Sequence, residues 1–279
     1  MRRLRALALG MIGAAAGLLF YTGSFFIRSY LENEQARKAS ESLKETYTNF
    51  ADEDPEDSDF PAGVQETEKA SKPSRSPGKK EEIRESFGIC WKELREVNPQ
   101  IAGWIEIPNA DISYPVVHGE DNTYYLSHSF EGEEDPFGTV FLDWRNKKKF
   151  QDSHSFLYGH NMEGNLMFAN LNRYVDAGYF QQCPEIYLYT PEKKYRYQIF
   201  SVEQAEEGSE SFSYGQRLGS REFLELLVYL EERSIYDTGV IPEISAPILT
   251  LVTCNSHLDE WVRMLVHGTR VEEWGIETD

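Results

Sequence analysis

The chain of 279 residues holds only three cysteines, Cys90, Cys183 and Cys254. So odd and sparse a set excludes the disulfide framework of a small secreted domain, and no CxxC pair offers zinc-site spacing. At least one thiol is therefore unpaired, and whether Cys90 and Cys183 pair is open, because sequence does not fix the distance between their α-carbons. His118, His128, His154, His257 and His267 are scattered without a ligand spacing such as HExxH, so neither a metal nor a cofactor is expected. Basic residues are also few. Against 47 Asp and Glu stand 28 Lys and Arg, a formal net charge of −19. That excludes a nucleic-acid binder, because neutralising phosphates takes clustered Lys and Arg.

Apolar residues are distributed in a telling way. After Arg2, Arg3 and Arg5 comes an uncharged apolar run at residues 6–27. At about 1.5 Å per residue it is long enough to cross a hydrocarbon core of about 30 Å. The preceding arginines predict a cytoplasmic N-terminus and an extracytoplasmic remainder. A cleaved signal peptide would have a shorter apolar core, and Phe25-Phe26-Ile27 keeps this one greasy past Gly23 and Ser24. The expectation is an anchor over residues 1–28, one transmembrane helix with its basic cytoplasmic end. Residues 29–80 are acidic, then rich in Pro, Ser and Lys, apart from a few possible helical turns over 31–50. Too little apolar surface is there to offset ordering entropy, so a flexible linker is expected. Residues 81–279 then form one domain, large enough to fold without staples.

Within that domain, residues 81–97 carry Ile83, Phe87, Cys90, Trp91, Leu94 and Val97 at the three-to-four spacing of an amphipathic helix, with Cys90 on its buried face. From residue 103 the pattern changes to short β-branched and aromatic runs broken by Pro, Asn, Asp and Gly. These lie at 103–107, 112–117, 139–142, 155–158, 186–189, 195–203, 248–253 and 262–266. Eight short strands predict a mainly β domain, a barrel or a sandwich. Helices are expected at 167–180 and 221–232, where apolar residues form single stripes.

Three strand ends carry groups with chemistry. The run 248–253 ends on Cys254, ahead of the polar Asn255-Ser256-His257, which puts a thiol within reach of substrate. Tyr158-Gly159-His160-Asn161 closes another strand, so a Cys–His pair is in prospect, nucleophile and base being commonly far apart in sequence and adjacent in the fold. His257, three residues after Cys254, competes for the role of base. Arg263 stands in the apolar run Trp261-Val262-Arg263-Met264-Leu265-Val266, where an arginine is costly unless it has a partner or a task. Reaching back toward Cys254, its fork of donors suits an oxyanion.

Taken together, Thr250-Leu251-Val252-Thr253-Cys254, Arg263 nine residues later and the upstream Tyr158-Gly159-His160-Asn161-Met162 resemble the sortases, and class B in particular. Gly103-Trp104-Ile105, Tyr114-Pro115-Val116-Val117, Asp121-Asn122-Thr123-Tyr124-Tyr125-Leu126, Phe141-Leu142-Asp143 and Met167-Phe168 follow the same family order. The resemblance covers roughly residues 83–271. It implies an eight-stranded sortase-type β-barrel with peripheral α-helices on the outer face of a Gram-positive membrane. It also implies cleavage of a Pro-x-Thr-Gly or Pro-x-Thr-Asn type sorting signal after its threonine. The thioacyl intermediate then passes to an amine, a peptidoglycan cross-bridge or a pilin lysine. Catalytic roles fall to Cys254, His160 and Arg263, and the peptide groove to Asn122, Leu126 and Tyr158. Val252 stands where serine is frequent and Asn255 where an acid is; with Thr253 they are expected beside the substrate.

An unperturbed cysteine and histidine are both charged in only about one molecule in a hundred at pH 7; a nearby arginine raises that fraction. Two other functions compete. A wall-modifying cysteine hydrolase of the L,D-transpeptidase kind would carry a His-x-x-x-Ser-x-Gly-x-x-Cys-like block, which is missing. An inactive adhesion or scaffold barrel would have lost one of Cys254, His160 and Arg263, and all three are present.

Overall fold

The computed structural model describes residues 2–48, 88–162, 164–254 and 262–275, with side chains for all of these except 2–19, 25 and 254. A helix α1 (Arg2–Tyr47) and a short α2 (Trp91–Val97) precede β1 (Ile101–Ile107) and β2 (Ile112–Val117). There follow β3 (Val140–Leu142), β4 (His154–Tyr158), the two-residue strands β5 (Asn161–Met162) and β6 (Leu166–Met167), and α3 (Ala177–Gln182). The chain continues through β7 (Glu185–Tyr189), β8 (Lys193–Glu206), α4 (Arg221–Glu232), β9 (Ile248–Cys254) and β10 (Val262–Gly275).

Eight strands close into a barrel in the order β1-β2-β3-β4-β9-β10-β8-β7, while β5 and β6 pair as a separate hairpin. Each of the eight predicted runs is one of these strands. Two are longer than their apolar cores suggest. The ladder between β8 and β10 runs on to Lys193 opposite Gly275, past the apolar stretch, because alternating charges pair across it: Lys193 with Glu273, and Arg196 with Glu272.

The interior is filled by Ile105, Ile107, Leu157, Leu188, Ile199, Val202, Leu249, Leu251, Met264 and Val266. The outer faces of β4, β9, β10 and the second half of β8 are buried too, under the connection formed by residues 207–247. Phe156, Ala205, Val252 and Leu265 make one outer cluster, with Phe212 against it. Further along, α4 lays Phe223, Leu226, Leu227 and Leu230 against Phe200 and Ile248. α4 spans the predicted 221–232 because Ser220 caps it, its hydroxyl accepting from Phe223 N.

The two other helix expectations are corrected. Over 167–180 there is no single α-helix: a 3-10 turn covers Ala169–Val175, and Asp176, extended and accepting from Gly178 N, starts α3 afresh. In 81–97 only Trp91–Val97 is helical among the described residues. Gly88 turns there with a positive φ of 71°, and Cys90 is the half-buried N-cap residue instead of lying on the helix's buried face. No disulfide joins Cys90 and Cys183.

α1 is helical through the possible turns of 31–50 as far as Tyr47, and Leu43 and Tyr47 pack against the cluster of Ile89, Trp91 and Leu94. Among the described residues no helix is long and apolar enough to cross a membrane; residues 6–19 of the apolar run lie outside the described side chains.

Under the connection, the outer face is polar as well as apolar. His154 donates from Nδ1 to the Ser213 carbonyl at 2.8 Å, so its Nε2 accepts from the Thr250 hydroxyl at 2.7 Å. The Thr250 oxygen meets His267 Nδ1 at 2.8 Å, and His267 Nε2 faces Glu203 at 3.2 Å. Glu203 also takes the Arg233 guanidinium at 2.9 Å. Burial, with His267 nearby, pushes the His154 imidazole down to about 3 from an ordinary 6.5. The unfolded chain therefore binds a proton that the folded chain refuses, and stability is lost as pH falls below 6.5. Between pH 7 and pH 5 the loss is about 2 kcal/mol. Urea unfolding at the two pH values checks it: His154→Gln, which keeps one donor and one acceptor, should flatten that difference.

Candidate active site

β4 and β9 are parallel neighbours, with Tyr158 opposite Val252. The ladder goes one bond further, Gly159 N donating to the Val252 carbonyl at 3.1 Å. His160 and Cys254 therefore leave their strands at the same rim of the barrel, each two residues past that rung. β10 lies antiparallel on the other side of β9, and its register sets Arg263 directly opposite Cys254. Backbone pairing thus brings together three positions that sequence holds up to 103 residues apart, from His160 to Arg263.

His160 is held on both sides. Its carbonyl accepts from Phe168 N at 2.8 Å, beside the β5–β6 hairpin. A Cβ on Gly159 would stand 2.7 Å from the Phe168 ring, so only glycine lets the chain turn here. The imidazole, half-buried, meets the Leu126 carbonyl from Nε2 at 2.7 Å. A carbonyl only accepts, so Nε2 carries a proton, and Nδ1 is the nitrogen left for proton exchange. Arg263 has Glu207 for a partner, Nη2 to Oε2 at 2.9 Å, with the arginine side chain 20% exposed and the glutamate 58%.

The residues expected to line a peptide groove fall into two groups. Asn122, Leu126 and Tyr158 lie on the rim near His160. Leu126 is exposed, and Asn122 and Tyr158 are half-buried. Tyr158 stacks on Phe141, ring centroids 5.3 Å apart. Val252 and Thr253 do not reach the surface. Val252 is buried in the outer cluster with Phe156 and Leu265, and Thr253 is buried as well, unlike the three residues on the rim. Alternation along a strand with both faces covered leaves neither residue a solvent side. Asn255 and His257 lie outside the described residues.

Sequence reasoning met Asp143 only as part of a family motif and gave no role to what is a highly connected side chain in the region. Asp143, at the end of β3, is fully buried. It accepts from Arg145 Nε at 2.8 Å, Arg145 Nη2 at 2.7 Å and Arg145 N at 3.0 Å. Asn122 Nδ2 reaches it at 3.1 Å and the Tyr158 hydroxyl at 3.2 Å. Burial pushes its carboxyl up, but the Arg145 guanidinium and N–H and the Asn122 amide outweigh that and hold it below the usual carboxylate range. Burial and the Asp143 carboxylate push the Tyr158 phenol well up, so it stays a donor. An Asp-x-Arg step straight after a strand was the available signal. Among the described residues no group of three or more His, Cys, Asp or Glu could hold a metal ion.

Known proteins align with this chain over the barrel. The sortase-domain family model matches residues 105–271. Sortase B of Listeria monocytogenes is 31% identical over 183 residues, 64% of this chain and 73% of that protein. Clostridium perfringens sortase B has a TM-score of 0.61 at 29% identity, over 65% of this chain and 100% of that one. The Staphylococcus aureus sortase B–substrate complex has a TM-score of 0.60 at 26% identity, over 65% of this chain and 84% of that one. A closed eight-stranded barrel, a family match across it and sortase B relatives by sequence and by structure lead to one assignment: the chain belongs to the sortase family of cysteine transpeptidases, and within it to class B.

Proposed function

We propose that this sortase is anchored in the membrane by residues 1–28, carried on a linker of residues 29–80, and acts outside the cell through a catalytic domain of residues 81–279. It cuts a Pro-x-Thr-Gly or Pro-x-Thr-Asn type sorting signal after the threonine. The Cys254 thiolate adds to the threonine carbonyl carbon, and Arg263 donates to the oxyanion. As the C–N bond breaks, His160 gives its Nδ1 proton to the departing amine. An incoming amine, from a peptidoglycan cross-bridge or a pilin lysine, then attacks the thioester. It loses its proton to His160 and releases the thiolate. Water in place of the amine gives hydrolysis.

The observation that carries this reading is the register of β4, β9 and β10, which sets Arg263 opposite Cys254 and turns His160 out at the same rim. Class B membership supports it, as does the substrate bound to the Staphylococcus aureus relative. The anchor rests on the apolar run at 6–27 and the arginines before it.

Cys254→Ala should abolish cleavage of a fluorogenic sorting-signal peptide while the circular dichroism spectrum stays that of the parent; turnover at the parent rate would refute the assignment. Arg263→Lys should lose a factor of about tens to hundreds in kcat/KM, because a point charge does not replace a planar fork. A near-parent rate would move the oxyanion role elsewhere. Detergent, and not alkaline washing, should release the full-length protein from membranes; release by washing alone would remove the anchor.

A further inference from the structure

Asp143 has more partners than its own stability requires. A buried carboxylate is costly unless paired and hydrogen-bonded, and Arg145, two residues on, already supplies three donors. The two remaining donors come from elsewhere, and both belong to the rim beside His160. Asn122 Nδ2 arrives from 21 residues away and the Tyr158 hydroxyl from 15.

Asn122 is locked in a single orientation. Its Oδ1 accepts from Trp144 N at 2.9 Å, and an N–H only donates, so the amide cannot flip. With both ends engaged, Asn122 ties its own loop to the end of β3. From there the chain makes one capped turn: Asp121 Oδ1 takes Thr123 N at 2.7 Å and Tyr124 N at 2.8 Å. That turn leads into a 3-10 helix at Tyr124–Leu126, whose last carbonyl receives the His160 Nε2–H. A short and rigid path therefore runs from the Asp143 carboxylate through Asn122 to the imidazole. The second path, through Tyr158, reaches the last residue of β4, two residues before His160.

We propose that Asp143 is the positioning residue of this site, setting His160 through Asn122 and the Leu126 carbonyl on one side and through the Tyr158 hydroxyl on the other. It touches neither substrate nor reacting atoms. The inference rests on His160 being the acid/base partner. A second anchor lies at the far end of the loop, where buried Tyr125 takes the Asn98 amide at 2.9 Å and Thr139 N reaches the Tyr125 carbonyl at 2.9 Å. Loss of Asp143 therefore tilts the loop and does not unfold it.

Two readouts on the full chain in detergent test this, and only one depends on turnover. In histidine-labelled protein, the His160 Nε2–H resonance, assigned by its loss in His160→Gln, should shift or broaden in Asp143→Asn while those of buried His154 and His267 stay in place. An unmoved resonance overturns the proposal. With a sorting-signal peptide, Asp143→Asn should lower kcat about tenfold or more with a smaller change in KM. Adding Asn122→Ala to it should move the His160 resonance little further, since one path is cut twice. A second, additive shift would overturn the linkage. Should Asp143→Asn fail to fold, Asn122→Ala alone is expected to move the same resonance, and its failure to do so is equally decisive. A resonance that moves in a protein cleaving no peptide at all would leave the positioning intact and sink the transpeptidase reading instead.

Discussion

The parallel ladder between β4 and β9 is the constraint on which the site depends. Parallel neighbours start and stop together, so Tyr158 opposite Val252 brings the residues after each strand out at one rim. A slip of one residue would exchange the faces of a whole strand, burying His154 among leucines and moving His160 along the rim. Two things prevent it. Both faces of these strands are covered, the inner by Leu157, Leu249 and Leu251 and the outer by Phe156 and Val252, so every side chain has a fitted place. And one hydroxyl, that of Thr250, joins His154 of β4 to His267 of β10 across β9. That polar pin spans all three strands that end at the site and is satisfied in a single register. A buried polar network of this kind specifies an arrangement more than it stabilises one.

The same covering explains why the site is on the barrel's rim and not within it. Apolar side chains fill the interior, and the connection of residues 207–247 closes the outer face as far as Phe212 and Phe156, whose rings stack 6.2 Å apart. Val202 N donates to the Ser234 hydroxyl and its carbonyl accepts from Ile235 N, so the connection also occupies an otherwise open strand edge. Beyond Phe212 the cover ends, and the ends of β4, β9 and β10 stand at its margin. Glu207, the first residue after β8, meets Arg263 there.

Much of this was legible because strands and their ends have local signatures. Period-two runs bounded by Gly, Pro and Asn located all eight barrel strands, and Cys254, His160 and Arg263, read as candidates from their places in those strands, share one rim. The continuation of β8 and β10 was not legible, since Lys193, Arg196, Glu272 and Glu273 read singly as loop and become strand only when paired across a ladder. Nor was the break at Asp176, where a capping side chain overrides a continuous apolar stripe. The burial of Val252 follows from the 207–247 connection lying over it, a fact of tertiary packing. The support of His160 was hidden twice over. Its acceptor is a main-chain carbonyl, which has no letter in the sequence, and the carboxylate behind that carbonyl draws its donors from residues 15 and 21 positions away.

Arg263 raises the remaining question of electrostatics under the proposed chemistry. A guanidinium that must receive developing negative charge already has a carboxylate on it, at 2.9 Å. If Glu207 were buried, that pairing would neutralise the arginine and cost heavily to break. Glu207 is instead more than half exposed, so water and salt screen it, and such surface pairs are worth about 0–1 kcal/mol. The glutamate therefore orients the fork without quenching it. Under the proposed mechanism an oxyanion held out of water gains more from each donor than an exposed carboxylate can, so the substrate displaces Glu207 from the arginine.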